Sequence, residues 1–340
     1  MDLMNALVCI GPGELNLTQR PRAIRGDGEV LVRPLRIGIC GTDYHIYEGN
    51  QPFLSYPRVM GHELAVEVVE TPARSSAIAG KVYVVNPYLS CGTCVACRRG
   101  KPNCCTKISV LGVHRDGGMT DLLSLPPENL IPADGLSVDE CAMVEFLAIG
   151  AHAVRRGAVS QNDSVLVVGA GPIGLGVALF SSLSGASVTI MDRDSGRLAT
   201  STTLLDVDQT ILADDTVAVQ VSKMTAGDGF DVVFDATGSR ASIEAGFDYV
   251  AHGGAYVIVS VVKGDITFTD ADFHRKELTL LGSRNATTSD FERVIDAMRA
   301  GKAPASKWIT HRTSLSRAVV DLPVWAREKS GLIKAVIENA

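Results

Sequence analysis

The sequence predicts an α/β protein of two domains, a mostly β domain followed by a doubly wound parallel sheet of about six strands. The chain has 340 residues, more than one hydrophobic core usually organises. Residues 1–150 contain short apolar alternations, such as 29–33 and 81–85, among many glycines and prolines. From Asp163 onward, apolar strand candidates alternate with helical stretches, a pattern typical of parallel sheets.

The strand candidates of the second domain are 164–168, 187–191, 209–212, 231–234, 255–261 and 278–281. After Ser283 a helix follows, in which apolar residues recur at helical spacing, and residues 331–337 form a last strand. We expect this tail to return to the first domain. The first domain then comprises residues 1–150 and 286–340, and the second comprises residues 151–285.

Composition limits the partners that the protein can have. The formal net charge is −6 at pH 7, whereas a nucleic-acid surface needs clustered Lys and Arg. Residues 164–191 carry no charge, but a glycine-rich turn at 169–172 and Ser184-Gly185 divide them into strand, helix and strand rather than a membrane span. The first residues lack the pattern of a secretion signal. We therefore expect a cytoplasmic protein that binds neither nucleic acid nor membrane.

Five of the eight cysteines fall within residues 91–105. Cysteines at such short separations, on a loop broken by glycine and proline, are typical of one tetrahedral Zn²⁺, and four sulfur ligands leave no open position. We predict a structural zinc here, with Cys104 pointing away. The alternative is a group of free or redox-active thiols. The predicted ligands are Cys91, Cys94, Cys97 and Cys105.

A second group of metal-binding side chains is Cys40, His62 and Glu63. Thiolate, imidazole and carboxylate form a catalytic zinc site when water or substrate holds the remaining position. Spacing alone does not show that residues 40 and 62 meet in space. The alternative is that these side chains only fill the core.

A glycine motif opens the second domain, after the strand at 164–168. It comprises Gly169, Ala170, Gly171, Pro172, Ile173 and Gly174. Its three glycines permit a tight turn, the approach of a pyrophosphate, and close helix–strand packing, as in Rossmann dinucleotide sites. The next strand leads to Asp192, which favours NAD over NADP by binding the ribose hydroxyls, although Arg193 is adjacent. The alternative is that Asp192 is only a loop residue or helix cap.

Together these motifs resemble zinc-dependent medium-chain dehydrogenases, and the similarity extends over essentially the whole chain. The motifs that carry the resemblance, in order, are Gly38-Ile-Cys-Gly-Thr-Asp43, Gly61-His-Glu63, the four-cysteine loop and the glycine motif. The chain is most similar to the sorbitol-dehydrogenase branch. The resemblance implies a GroES-like catalytic domain plus a Rossmann domain, two zinc ions per chain, NAD, and a homodimer or homotetramer.

The resemblance also implies roles near the catalytic zinc. Glu145 lies on or near the metal, binding it directly or through water. Thr42 hydrogen-bonds the substrate oxygen, and Thr42 and His45 are candidates for the proton relay, with Glu145 as a competing route. His45 is alternatively an ordinary surface residue. The chain departs from the family at Phe146, where proline is usual, and at Val66, where glycine often follows the His-Glu pair.

The substrate prediction depends on loop segments 49–57, 103–118 and 282–286, which resemble bacterial sugar-acid dehydrogenases of this branch. They favour oxidation of a secondary alcohol on an L-galactonate-like hexonate. A sugar acid needs a cation for its carboxylate, and Arg284 is the first candidate, followed by His114 and Arg115. Arg284 alternatively binds cofactor phosphate or caps a strand. The alternative functions are a neutral-polyol dehydrogenase (sorbitol, xylitol or galactitol type) and a catalytically silent protein that binds NAD or a metabolite as a sensor.

Overall fold

A computed structural model describes residues 2–51, 53–205, 207, 209–328 and 331–339. The chain divides into two compact units. The first comprises Met1–Phe146 and Thr287–Ala340, and the second comprises Leu147–Ala286. The C-terminal segment therefore belongs to the same unit as the N-terminal one.

The strands alternate with loops in the first part of the chain and with helices in the second. They are β1 (Leu3–Gly11), β2 (Glu14–Pro21), β3 (Val30–Ile39), β4 (Arg58–Val59), β5 (Glu63–Glu70), β6 (Val82–Val85), β7 (Tyr88–Leu89), β8 (Ser109–Val110), β9 (Leu123–Leu125), β10 (Leu130–Pro132), β11 (Ser164–Val168), β12 (Ser187–Asp192), β13 (Gln209–Leu212), β14 (Phe230–Asp235), β15 (Val250–Ile258), β16 (Thr279–Gly282), β17 (Ile309–Ser314) and β18 (Lys334–Glu338).

The α-helices of the first unit's N-terminal part are short, and those around the parallel sheet range from 6 to 12 residues. They are α1 (Gly41–Tyr47), α2 (Val95–Arg98), α3 (Val138–Arg156), α4 (Pro172–Leu183), α5 (Ser195–Leu205), α6 (Val217–Met224), α7 (Arg240–Gly246), α8 (Asp270–Arg275), α9 (Thr288–Arg299) and α10 (Ala318–Arg327). Short 3₁₀ helices lie at Pro102–Cys104, Pro127–Asn129, Phe247–Tyr249 and Ala305–Trp308.

The first unit is organised around β3. In the described residues, its largest sheet has the order β10-β6-β5-β3-β18-β17, with β9 also paired to β3. Residues of β3 alternate between the two faces of the sheet and are largely buried, which fits its central place. The last strand, β18, runs antiparallel to β3, with Ala335 opposite Ile39. The C-terminal strand thus lies inside the sheet rather than at its edge.

The second unit contains a parallel sheet with the order β13-β12-β11-β14-β15-β16 in its described residues. Helices α4 to α8 alternate with its strands, and the order reverses beside β11. This is the doubly wound arrangement, in which ligands bind beyond the carboxyl ends of the strands where the order reverses. The predicted fold class is confirmed.

The fifth strand of this sheet differs from its prediction. Strand β15 spans Val250–Ile258, whereas the sequence indicated 255–261. The pairing of β14 with β15 shifts in register between Phe230 and Val232, and Gly253 has a φ of +78°. An irregularity that contains Gly253 therefore interrupts the pairing of β15 with β14. Glycines within a strand resemble a turn in the sequence, which is why the predicted strand began only at residue 255.

The uncharged stretch 164–191 forms β11, α4 and β12, as its glycine and serine interruptions predicted. Among the described residues, no helix combines the length and the apolar character needed to cross a bilayer. The low charge of this segment instead reflects burial, because most residues of β11 and α4 are inaccessible to solvent.

Candidate active site and metal centres

Cys40, His62 and Glu63 come together in the first unit. One ligand atom from each lies within 4.8 Å of the other two. Cys40 follows β3 directly and Glu63 begins β5, and these strands pair antiparallel with Gly38 opposite Glu63. A Cβ atom at Gly38 would lie 2.0 Å from Glu63 Oε2, so a residue without a side chain is required there. The structure thus brings together the predicted mixed ligand set.

The buried carboxylate of Asp43 joins the loops that carry these ligands. Its Oδ2 accepts a 2.9 Å hydrogen bond from the backbone N–H of Cys40, and its Oδ1 accepts a 3.3 Å bond from that of Gly61. Oδ1 also lies 3.9 Å from Nδ1 of His62. Burial raises the pKa of Asp43, and the charge of His62 opposes this rise. No role for Asp43 was predicted, although it stands within the Gly38–Asp43 motif.

Glu63 makes a buried ion pair with Lys334 of β18. Lys334 Nζ donates to Glu63 Oε1 at 2.5 Å, and both side chains are almost fully inaccessible to solvent. Burial is the largest effect and lowers the pKa of Lys334. The negative charges around it, first Glu63 and then Cys40, together outweigh burial, so the net shift is upward and the ammonium keeps its charge. Lys334 was missed, and its one signal is a lysine in the otherwise uncharged segment 331–337, which predicted the last strand.

The ring of Phe146 faces this ion pair. Lys334 Nζ lies 4.5 Å from the ring centroid, within the range of a cation–π interaction. The ring also packs on Trp308, with centroids 5.9 Å apart. Phe146 is the departure from the family's proline, and here its ring replaces part of the solvation that the buried ammonium has lost.

Glu145 lies one residue away on α3, buried, and accepts a hydrogen bond from the hydroxyl of Tyr88. Burial raises its pKa to about 7, while the charge of His62 works in the opposite direction. Glu145 is not part of the three-residue ligand group in the described chain. Its binding to zinc, directly or through water, therefore remains a prediction. Tyr88 was not among the predicted site residues.

The relay candidates lie on α1, the helix that begins after Cys40. Thr42 is half-buried in the first turn. His45 is exposed, and its Nδ1 lies 3.7 Å from Glu48 Oε2. Both residues are therefore close to Cys40 along the chain, and their parts in a proton relay stay predictions.

The four cysteines predicted to bind structural zinc form a second group. Sulfur atoms of Cys91, Cys94, Cys97 and Cys105 all lie within 4.8 Å of one another. Cys105 is buried and Cys104 is exposed, so only one of the adjacent pair points inward. Backbone N–H groups of Cys97 and Thr106 lower the pKa of Cys94 to about 5, which favours the thiolate that a metal needs.

Both groups fit zinc by their donor atoms. Four sulfurs suit a closed tetrahedral site, and thiolate, imidazole and carboxylate suit a site with an open position. In addition, the buried Nδ1 of His62 has no hydrogen-bond partner among the described residues. This Nδ1 faces the carboxylate of Asp43 at 3.9 Å. A metal-binding imidazole commonly turns its other ring nitrogen toward such a group, so the arrangement fits a metal ligand.

The glycine motif of the second unit has the geometry of a phosphate-binding turn. Gly169 has a φ of +103°, and a Cβ atom at Gly174 would lie 1.8 Å from the carbonyl oxygen of Gly169. A Cβ atom at Gly171 would meet nothing within 4 Å, so space is open above this residue. Pro172 and Ile173 begin α4, whose N-terminal N–H groups favour a phosphate. The residues present fit a dinucleotide.

Asp192 ends β12 beside this turn. Its Oδ2 accepts a 2.7 Å hydrogen bond from the N–H of Ala170, and its Oδ1 accepts a 2.9 Å bond from that of Asp194. Each carboxylate oxygen can accept further bonds from ribose hydroxyls. Arg193 follows it and is exposed, and Arg284 is exposed just beyond the carboxyl end of β16. The structure thus places these residues at the sheet edge where cofactors bind.

Comparison with known proteins defines the class to which this fold and these sites belong. Residues 26–135 match the family model described as alcohol dehydrogenase GroES-like domain. Residues 172–300 match the model described as zinc-binding dehydrogenase. A catalytic unit and a nucleotide-binding unit of this type define zinc-type alcohol dehydrogenases.

Individual relatives cover nearly the whole chain. It is 43% identical to the L-galactonate-5-dehydrogenase of Escherichia coli strain K12, over 92% of each chain. It is 30% identical to the sorbitol dehydrogenase of Halalkalibacterium halodurans, over 90% of this chain and 91% of the relative. A crystal structure of a short chain alcohol dehydrogenase from Escherichia coli CFT073, complexed with NADH, superposes with a TM-score of 0.92 at 28% identity, covering 99% of both chains.

This chain belongs to the zinc-dependent alcohol dehydrogenase family. The predicted resemblance, with its class of oxidoreductase, is confirmed.

The cysteine loop gives a prediction with a control at the adjacent position. Replacing Cys105 with serine removes one of four sulfur ligands, so zinc per chain should fall from two to one. Cys104→Ser changes an exposed thiol outside the group and should keep both. Elemental analysis of the purified variants measures the zinc content. Loss of zinc on Cys104→Ser, or its full retention on Cys105→Ser, would contradict the assignment.

The buried ion pair gives a second prediction. Lys334→Ala leaves the Glu63 carboxylate buried without its counter-charge, which should lower the free energy of unfolding by about 3–5 kcal/mol. The loss should be smaller with zinc at Cys40, His62 and Glu63, because the metal also neutralises this carboxylate. Denaturant unfolding before and after removal of the labile zinc measures both. As a control, Lys302→Ala removes an exposed lysine and should change the free energy of unfolding little. If Lys334→Ala lost the same free energy of unfolding with and without the labile zinc, Lys334 and the metal would not share the carboxylate of Glu63.

Proposed function

We propose that this chain oxidises a secondary alcohol of a sugar acid, an L-galactonate-like hexonate, and passes the hydride to NAD. The observation that carries the chemistry is the group of half-buried Cys40 with buried His62 and Glu63, in a chain of this family. The substrate class is supported by 43% identity to an L-galactonate-5-dehydrogenase. The alcohol loses a hydride and a proton, so the products are a ketone, NADH and H⁺.

Zinc held by Cys40, His62 and Glu63 would supply a Lewis acid that makes the alcohol proton easier to remove. NAD, held at the glycine motif and Asp192, would supply the hydride acceptor. The second zinc, at the four cysteines, would stabilise the loop 91–105 without entering the reaction. The chain's own residues then orient the alcohol, hold the ligands and remove the proton.

Orientation of the ligands depends on residues outside the ligand set. Asp43 fixes the backbone on either side of the site, at Cys40 and at Gly61. Lys334 fixes the carboxylate of Glu63 from behind. Such supporting contacts decide how far a ligand can move, and their loss typically weakens metal binding or activity.

Two routes exist for the alcohol proton. Thr42 can pass it from the substrate oxygen toward His45, which is exposed and reaches solvent. Glu145, buried and bonded to Tyr88, is the competing acceptor. Loss of His45 should slow turnover more at low pH than at high pH if the first route operates.

Two alternatives remain distinct from this proposal. A neutral polyol as substrate is favoured by the 30% identity to a sorbitol dehydrogenase. A silent NAD-binding or metabolite-binding sensor would keep the sites without turnover. We further propose a homodimer or homotetramer in the cytoplasm, with residues 1–150 and 286–340 as the catalytic domain and residues 151–285 as the NAD domain.

A screen of NAD reduction across aldonates, uronates and polyols at fixed pH tests the function. We expect a hexonate of L-galactonate type to reduce NAD fastest, with the activity lost on removal of the labile zinc. Faster reduction with sorbitol, xylitol or galactitol would favour the polyol alternative. One tightly held zinc ion and no NAD reduction by any of these compounds would favour the silent alternative.

The preference for NAD gives a prediction at Asp192. Replacing Asp192 with serine removes the acceptor for the ribose hydroxyls and the charge that repels a 2′-phosphate. The KM for NAD should rise about tenfold and the NAD/NADP ratio of kcat/KM should fall. Asp194→Asn keeps the acid at 192 and serves as the control. An unchanged NAD/NADP ratio in the Asp192→Ser enzyme would refute the assignment of Asp192 to the ribose.

A further inference from the structure

The connection between Cys40 and His62 carries an exposed aromatic surface. Phe53 is exposed on this connection, and its ring stacks on His114 with centroids 6.4 Å apart and planes 28° apart. His114 lies on residues 112–118, here called the 112–118 turn, and is itself exposed. Two solvent-facing rings are thus held together beside the segment that leads into a ligand residue.

The 112–118 turn is bonded directly to the backbone that precedes His62. The N–H of Gly117 donates to the carbonyl of Val59 at 2.8 Å, and that of Gly118 donates to the carbonyl of Gly61 at 2.9 Å. A Cβ atom at Gly117 would lie 2.2 Å from the Gly61 oxygen. Because no side chain fits between these segments, the turn keeps a fixed position relative to His62.

On the 112–118 turn, the acid Asp116 is already paired, whereas the cation Arg115 can still bind a ligand. Asp116 accepts from Arg20 at 2.8 Å, from Arg58 at 3.4 Å and from the N–H of Val59 at 3.1 Å. The guanidinium of Arg115, beside it in sequence, makes no hydrogen bond or ion pair with any described residue. Arg20 and Arg58 share the carboxylate of Asp116, whereas Arg115 pairs with no acidic side chain of the described residues. Such an arginine is suited to bind the carboxylate of a ligand.

The distance suits a substrate of several carbons. Arg115 is three residues from Gly118, so their Cα atoms are at most about 11 Å apart. Gly118 is bonded to Gly61, the neighbour of His62. These separations allow a six-carbon acid with one hydroxyl near His62 to come within reach of the long Arg115 side chain.

We infer that Phe53, His114 and Arg115 form the subsite for the far end of the substrate. Arg115 binds the carboxylate of the sugar acid, and the two rings pack against the C–H groups of its carbon chain. Arg284, at the end of β16 in the other unit, then serves the cofactor. This inference depends on the proposed function, since it assigns the carboxylate of the proposed substrate.

The test compares a hexonate with the alditol of the same carbon skeleton, as substrates of the zinc-loaded enzyme. Arg115→Ala should raise the KM for the hexonate tenfold or more and leave that for the alditol within about twofold, because only the acid loses a charge-assisted bond. Arg115→Lys should give an intermediate KM, since it keeps the charge but not the planar fork. Arg74→Ala, an exposed arginine of the same unit, should change neither.

The aromatic part has its own variants. Phe53→Ala and His114→Ala should raise the KM for both compounds by similar factors, because the carbon chain is common to them. A KM for the hexonate that is unchanged in Arg115→Ala, or that rises equally for the alditol, overturns the inference even if the wild-type enzyme oxidises hexonates. Wild-type enzyme that oxidises alditols and no sugar acid would overturn the proposed function, and the carboxylate subsite with it.

Discussion

The arrangement of Cys40, His62 and Glu63 depends on the carboxylate of Asp43. It is fully buried, yet it accepts backbone hydrogen bonds from Cys40 and Gly61 and faces His62. A buried carboxylate is tolerated only when its oxygens are well paired. Both oxygens of Asp43 are hydrogen-bonded only when the loop at Cys40 and the loop at Gly61 are in place together. The folded arrangement of the two loops and the pairing of this buried carboxylate therefore depend on each other. Loss of either loop would leave a buried charge unpaired.

The same constraint extends to the C-terminal strand. Lys334 reaches Glu63 only because β18 pairs with β3, and β3 pairs with β5, where Glu63 begins. Two strands from opposite ends of the chain thus lie on either side of β3. The carboxylate of Glu63 therefore gains its buried counter-charge only from a strand that follows the parallel sheet in the chain.

The sequence revealed what is encoded locally. The four-cysteine loop and the glycine motif each occupy one short segment, so spacing and residue type were sufficient to predict them. The alternation of strands and helices was sufficient to predict a doubly wound parallel sheet of about six strands. Lys334 is separated from Glu63 by 271 positions, and Tyr88 from Glu145 by 57. No local pattern connects such pairs, because they meet only through the pairing of distant strands. Asp43 was visible in a motif, but its role appears only where two loops converge.

Phe146 shows how a departure from the family pattern is accommodated. A proline at this position would lack a backbone N–H, whereas Phe146 lies inside the continuous helix α3. The larger side chain of Phe146 lies next to the buried ammonium of Lys334. The face of its ring, which carries partial negative charge, is turned toward this ammonium, and the ring also packs on Trp308. The substitution therefore stabilises the charge that positions Glu63, and the residue after Glu145 contributes to the site through Lys334.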